Sequence, residues 1–213
     1  MDIQVWSDVV CPWCYLGRAR LEKALAGHDG EARVIYRAFQ LDPAPVPEPV
    51  PTKTAMTAKF GGPERAEQMF AHVAAIAAAE GLVLNFDRAI AANTFDAHRL
   101  IAWGLAHQRQ REMLDALQRA HFTDGIDIGS PAALVAVAES IGLDGPAAAA
   151  YLADDGGADV VRADLAVARE LGITSVPTFV IDGRYAVQGA QEPDTLRTAF
   201  AEIARREAVD AGR

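Results

Sequence analysis

The chain has 213 residues, 51 % of them hydrophobic and 7 % aromatic, with a formal net charge of −9 and a pI near 5.0. That length suits one large domain, or one domain carrying an insertion, with ample apolar material for a core. An acidic chain without a Lys/Arg run interleaved with aromatics argues against nucleic acid and anionic membrane surfaces as partners, and no apolar stretch reaches membrane-spanning length.

In chain order, residues 2–10 read as a buried strand and 12–26 as a helix closed by Gly27. The only two cysteines, Cys11 and Cys14, stand at the junction between them. At a helix N-terminus the unpaired backbone N–H groups and the positive end of the macrodipole favour thiolate over thiol. A second thiol one turn on is placed to attack a mixed disulfide and release the partner. Pro12 suits the first helical turn, where its missing N–H would have had no partner. A structural zinc site wants four ligands, and neither another cysteine nor a close histidine pair supplies them: the five histidines are 28, 72, 98, 107 and 121. Two inert buried thiols are the bland alternative to a redox dithiol. No basic segment with an apolar stretch leads the chain, and a cleaved leader would remove part of the first strand, so a cytoplasmic protein is expected. In a reducing compartment a lone cysteine pair is catalytic or redox-sensing more often than structural.

Arg33 to Phe39 forms the second predicted strand, rich in β-branched and aromatic residues. Pro43, Pro45, Pro47, Pro49 and Pro51 then impose an extended surface connector. From Thr52 to about Leu171 the pattern is helical throughout. Met69, Phe70, Val73, Ile76 and Ala77 share a helical face that stops at Gly81, with Phe60 expected in the same core. Asn93 can cap a helix through Leu100 and Leu105. Further helices cover roughly 110–122, 131–141 with Ser130 as cap, 145–153, and 157–171 ending at Gly172. Thr178–Ile181 and Tyr185–Val187 read as a hairpin about a two-residue Asp182-Gly183 turn, and an amphipathic helix follows from about Pro193. Strands at both ends with helices between them predict an α/β sheet domain, residues 1–50 and 172–213, interrupted by an all-helical insertion, residues 51–171.

This organisation resembles the thioredoxin fold with an inserted helical domain, as in the DsbA-like proteins. Two stretches carry the likeness, Asp8-Val9-Val10-Cys11-Pro12-Trp13-Cys14-Tyr15 and Thr174-Ser175-Val176-Pro177-Thr178-Phe179. Within that superfamily the FrnE-like branch is the most similar, through Tyr15-Leu16-Gly17, Phe39-Gln40-Leu41-Asp42-Pro43 and Asn93-Thr94-Phe95-Asp96-Ala97-His98-Arg99. The resemblance implies that Cys11 attacks, that Cys14 resolves, and that Val176–Pro177 is a cis peptide presenting its backbone to an extended substrate segment. An ordinary trans proline at a strand start is the alternative for Pro177. Trp13 offers the Cys11 thiolate no charge, so Pro12 and Trp13 tune the pair toward a less oxidising disulfide than a histidine would. The buried acid usual six residues before the first cysteine is replaced by Val5, and Asp8 is the nearer acid.

Asn93, His98 and Arg99 are read either as facing the dithiol and binding a substrate or glutathione carboxylate, or as a cap and a helix-surface pair. The leading expectation is a thiol–disulfide oxidoreductase acting on a protein or small-molecule disulfide or dithiol, with no cofactor or metal and with glutathione as a candidate co-substrate. The main alternative is a glutathione-dependent transferase or isomerase of the kappa or hydroxychromene-carboxylate isomerase type, which the same architecture resembles. Those proteins usually keep one nucleophile at the Cys11 position, so the second thiol argues against them. A non-catalytic redox sensor or chaperone is the third reading.

Overall fold

The computed structural model describes residues 1–28 and 30–211. Asp29, Gly212 and Arg213, which fall in the spans read as the sheet domain, lie outside the described residues.

The first strand, β1 (Asp2–Ser7), alternates its side chains between two faces, as a pleated strand must. It stops short of the expected residue 10 because residues 8–10 turn, bringing the Cys11 N–H to the Asp8 carbonyl at 3.2 Å. Helix α1 (Pro12–Leu25) follows, then β2 (Arg33–Ala38), parallel to β1 from Asp2 opposite Arg33 to Ser7 opposite Ala38. The proline-rich connector runs exposed to β3 (Val50–Pro51), α2 (Thr52–Thr57) and α3 (Pro63–Ala79). Next come β4 (Ile90–Ala91), α4 (Phe95–Ala106) and α5 (Gln110–Arg119), then a π-helical turn (Ala120–Asp124), α6 (Pro131–Ser140), α7 (Gly145–Ala153) and α8 (Ala158–Glu170). The chain then returns to β5 (Thr178–Ile181), β6 (Tyr185–Gln188) and α9 (Pro193–Ala211).

The main sheet has the order β2-β1-β5-β6, with β5 antiparallel to both of its neighbours. Ile3, Val5, Phe179 and Ile181 pack on one face with Leu21 of α1 and Leu196, Phe200 and Ile203 of α9. Trp6 and Val180 pack on the other with Ala168 of α8 and Ile173. The α/β reading of a DsbA-like thioredoxin fold therefore holds. Proline sets the first turn of α1, α3, α6 and α7, and Gly81 and Gly172 end α3 and α8 at φ 83° and 67°.

Several local expectations need correction. The central stretch is not purely helical, because β3 and β4 form a small antiparallel pair, Val50 opposite Ala91 and Pro51 opposite Ile90. The helix expected over 110–122 ends at Arg119 and widens into the π turn, closed by Gly125 at φ 70°. Ser130 occupies the cap position of α6 without a side-chain bond, whereas Asp144 does cap α7, accepting from the Ala147 N–H at 2.8 Å. Met69 is 45 % exposed, because the buried face of α3 runs through Ala66, Phe70, Val73 and Ala77. The hairpin pairs Ile181 with Tyr185, leaving 182–184 as a connection one residue longer than the expected turn. Asp182 and Gly183 both adopt positive φ, 49° and 67°.

Strand β2 lies at the sheet edge, where unpaired backbone groups need partners. Buried Gln110 supplies them: its Oε1 accepts from the Tyr36 N–H at 3.0 Å and its Nε2 donates to the Tyr36 carbonyl at 2.9 Å. Asp164 accepts from the Ala38 N–H at 3.1 Å, so α5 and α8 together close this edge. Replacing Gln110 with leucine keeps the volume but orphans both Tyr36 groups, and urea unfolding should show a loss of about 2–4 kcal/mol. A change below about 0.5 kcal/mol, the scatter of ordinary surface substitutions, would remove Gln110 from this role.

Candidate active site

Cys11 takes the N-cap position of α1 with extended backbone, φ −89° and ψ 113°, and Pro12 begins the helix. The Cys14 and Tyr15 N–H groups both close onto the Cys11 carbonyl, at 3.0 and 3.2 Å. Both cysteines are free thiols and buried, 4 % and 2 % exposed. Burial pushes the Cys14 thiol well above the ordinary cysteine range, and the neighbouring Cys11 side chain and the Asp8 carboxylate push the same way. A hydrogen bond from the Asp8 backbone opposes them. Cys14 therefore keeps its proton until it reacts, while Cys11 sits where developing negative charge meets the helix N-terminus.

On the other side, the Cys11 sulfur lies 3.8 Å from the Val176 carbonyl oxygen, and the Val176–Pro177 peptide is cis. Gly17 sets how closely α1 approaches this loop, since a Cβ there would meet the Pro177 Cγ at 2.7 Å and the Phe179 ring at 3.5 Å. Trp13 is half-buried and joins two clusters, the thiols with Val176 and the aromatic group of Tyr15, Phe70, Phe86 and Phe122. Its ring centroid is 6.5 Å from that of His72 on α3. A cavity of about 610 Å³ lies beside the β2 edge, between α1 and α5, and neither cysteine lines it.

Behind the thiols lies a buried carboxylate. Asp8 is 1 % exposed; its Oδ2 accepts from the Leu41 N–H at 2.8 Å and its Oδ1 faces His98 Nε2 at 3.3 Å. The same Nε2 is 2.9 Å from the Phe39 carbonyl, which can only accept, so that nitrogen carries the proton and is shared between the two oxygens. His98 is thus neither on the helix surface nor open to substrate: it is 3 % exposed and meets the thiols only through Asp8.

The other two residues read as facing substrate lie elsewhere. Asn93 Nδ2 donates to the Pro43 and Ala44 carbonyls at 3.0 Å each, and its Oδ1 accepts from Gln40 and from the Phe95 N–H at 3.2 and 3.0 Å. It pins the proline-rich connector to the start of α4. Arg99 is 5 % exposed and binds the Tyr151, Leu152, Asp154 and Gly156 carbonyls and the Asp96 carboxylate, holding the α7–α8 connection. All its donors are engaged within the fold, so it has none to offer a glutathione carboxylate.

His121, in the π turn, is 1 % exposed. Among the described residues neither ring nitrogen has a hydrogen-bond partner, and burial lowers its pKa to about 4, with the Asp8 charge resisting. Its ring centroid lies 4.5 Å from that of Phe122, edge to face. The sequence signal for this was slight: a histidine on the apolar side of a helix next to a phenylalanine.

Against known proteins, residues 2–201 match the family described as a DSBA-like thioredoxin domain. The crystal structure of a probable DsbA oxidoreductase from Streptomyces coelicolor superposes with a TM-score of 0.90 at 39 % identity, covering 95 % of this chain and 89 % of that one. A 2-hydroxychromene-2-carboxylate isomerase matches with a TM-score of 0.72 at 18 % identity, over 98 % of both chains. The cytosolic disulfide reductase DsbM from Pseudomonas aeruginosa, solved with glutathione, matches with a TM-score of 0.67 at 22 % identity, over 97 % of this chain and all of that one (100 %). At such low identity the last two bear on fold alone.

Two substitutions test this packing. Alanine normally favours a helix interior over glycine by about 1 kcal/mol. At Gly17 the overlap with Pro177 costs about 1–3 kcal/mol, so Gly17→Ala should lower stability in urea and not raise it. His121 stays neutral in the fold while the unfolded chain takes up a proton below pH about 6.5, so stability present above that pH is lost as pH falls toward 4, by roughly 3 kcal/mol. His121→Phe keeps a ring without the nitrogens. Urea titrations from pH 7 to 4 should show a shallower acid slope than wild type, and equal slopes would refute a buried neutral His121.

Proposed function

Because the chain belongs to the DSBA-like thioredoxin domain family, we propose that it is a cytosolic thiol–disulfide oxidoreductase of the FrnE-like branch, working through the dithiol of Cys11 and Cys14. The observation that carries this reading is the second thiol: Cys14 is free and buried in the first turn of α1, one turn from Cys11 at its N-cap. In the reducing direction the Cys11 thiolate attacks one sulfur of a substrate disulfide, forming a mixed disulfide and expelling one substrate thiolate. Cys14 then attacks Cys11, the Cys11–Cys14 bond forms, and the second substrate thiolate leaves. The substrate gains the two electrons that the dithiol loses, and the reverse sequence oxidises a dithiol.

Pro12 and Trp13 set the potential of the pair, and the Val176–Pro177 backbone is the rail along which an extended substrate segment lies beside Cys11. The 3.8 Å approach of the Val176 carbonyl to the Cys11 sulfur supports that placement. Two glutathione molecules reducing the Cys11–Cys14 disulfide to give oxidised glutathione would complete a reductive cycle. DsbM, a relative in fold, is a cytosolic disulfide reductase solved with glutathione, which favours both this co-substrate and a cytosolic site of action. A glutathione-dependent isomerase remains the second reading, because one such enzyme shares the fold at a TM-score of 0.72.

Cys14→Ser separates the two. Disulfide reduction should fall by at least about a hundredfold and the protein should accumulate as a Cys11 mixed disulfide, seen as a mass increase of one substrate thiol, because release needs the second sulfur. Wild-type protein in graded glutathione redox buffers should pass through a two-electron transition to an internal disulfide. A wild type that only holds glutathione on Cys11, with isomerase turnover surviving Cys14→Ser, would replace the oxidoreductase reading with the isomerase one.

A further inference from the structure

The cavity of about 610 Å³ beside the β2 edge takes no part in the dithiol chemistry above. Leu21 and Leu25 of α1, Val34 and Tyr36 of β2, Leu105 at the end of α4 and Arg111 at the start of α5 all border it. At 1.5 Å rise per residue, the α1 wall lies about 15–20 Å along the helix from Cys11. A space of this size holds a small organic molecule, and its walls are mainly apolar. Leu105 is 41 % exposed, so part of that apolar lining is open to a ligand.

The polar groups in these walls are what distinguish the cavity from a packing gap. Tyr36 is 6 % exposed. Among the described residues its hydroxyl has no hydrogen-bond partner, and it is not one of the sealed polar atoms such as the His121 nitrogens. Its outlet is the cavity that the residue borders. Burial pushes this hydroxyl well above the ordinary tyrosine range, so it remains a donor, and it feels the Arg111 charge. On β2, Arg33 donates inward to the Met1 carbonyl at 3.0 Å, whereas Tyr36 turns its backbone outward onto Gln110. Val34 has the parity of Tyr36 and also turns outward, but no partner meets its N–H among the described residues. The carboxylates nearby are spent: Glu22 accepts from Arg18 at 2.7 Å and from Arg111 Nε at 2.8 Å, and Asp115 pairs with Arg18. Arg111 also gives Nη2 to Glu22 at 3.3 Å, which leaves its Nη1 without a partner among the described residues. Gln108 in the same lining holds φ 60°, a helix-end conformation that usually takes glycine.

We propose that this cavity is a second ligand site, separate from the dithiol, for a small amphipathic carboxylate. The apolar body of the ligand lies against Leu21, Leu25 and Leu105, and its carboxylate accepts from the Tyr36 hydroxyl and from Arg111 Nη1. A neutral molecule of the same shape fills the apolar walls but forgoes the charge-assisted bond to the guanidinium. Binding is non-covalent and leaves the Cys11–Cys14 pair untouched, so the site stands apart from the oxidoreductase reading.

The probes 2-naphthylacetate and 2-naphthylethanol share a ring system and differ in the acid. Titrated into the isotope-labelled full chain and followed by amide NMR, the acid should shift the Leu25, Val34 and Leu105 signals saturably below about 10 mM. It should bind at least about fivefold tighter than the alcohol. Tyr36→Phe removes a hydroxyl that has no protein partner, and Arg111→Gln alters an exposed side chain, so each variant keeps the fold independently of the other. Each should weaken the acid by about tenfold and the alcohol by less than about twofold, the scale of one hydrogen bond to a charged group. Leu105→Trp, which fills the cavity from an exposed position, should abolish binding of both probes. Equal affinity for acid and alcohol overturns the proposal, as does an acid affinity unmoved by both Tyr36→Phe and Arg111→Gln. A titration in which no signal moves, or in which only residues around Trp13 and Val176 respond, overturns it as well.

Discussion

A carboxylate removed from water behind a pair of thiols is the constraint that organises this molecule. Desolvating a lone carboxylate costs several kcal/mol unless donors surround it, and Asp8 is 1 % exposed. Its donors come from far along the chain: the backbone N–H of Leu41 and the ring of His98, 33 and 90 residues away. The three consecutive residues Phe39, Gln40 and Leu41 bond to His98, Asn93 and Asp8 respectively. Stretches that look like separate signatures in the sequence are therefore the two sides of one polar seam. Satisfying Asp8 fixes where the connector leaves the sheet and where α4 begins.

Helix α1 carries the rest of the assembly. Its N-terminus holds the thiols, and Gly17 lets the helix lie against Pro177. Buried Arg18 bonds to Gln118 at 3.0 Å and Glu22 at 2.7 Å, and also reaches Asp115, drawing α5 onto the helix. Arg20 bonds to Glu80 at 2.7 Å and to the Ala190 carbonyl at 2.8 Å, tying in the end of α3 and the approach to α9. Both arginines have several partners each, as buried guanidinium groups require. Apolar stacking continues the link, since Tyr15 and Phe122 lie parallel at 5.9 Å and Phe86 and Phe70 extend the row. The single helix that positions the chemistry is thus also the one gripped by both the sheet and the helical region.

Much of this was legible in the sequence wherever the cause is local. Strand alternation, proline in first turns, and glycine beyond α3 and α8 set most element ends within a residue or two. The thiol pair at the head of α1 follows from its spacing and flanks. What could not be read depends on partners remote in sequence. A helix pattern does not say that Met69 faces out while Ala66 faces in, because alanine carries little apolar signal of its own. Nor does a His-Arg pair say which neighbours wait for it: consecutive residues on α4 are both buried, one against Asp8 and the other among the carbonyls that close α7. Asp8 itself could be seen to be near the thiols, but its orientation is decided by Leu41 and His98. Gln110 gave no signal at all, since its role is to complete the hydrogen bonding of a strand 74 residues away.

The placement of these polar groups bears on what the helical region is for. Had it served only to build a substrate surface, its polar residues would face the thiols from the solvent side, and the protein would work, less selectively, without them. Instead α4 sends His98 inward onto Asp8, and the π turn buries His121 where it feels the same carboxylate. A π turn widens the helix by one residue and is often kept where a side chain must be aimed against the regular pitch. Here it seats a histidine near the Asp8 carboxylate without giving either ring nitrogen a partner among the described residues, an arrangement that costs stability and that simple packing would replace with phenylalanine. The helical region therefore contributes to the polar surroundings of Asp8, next to the cysteines, and not only to the outer surface of the protein.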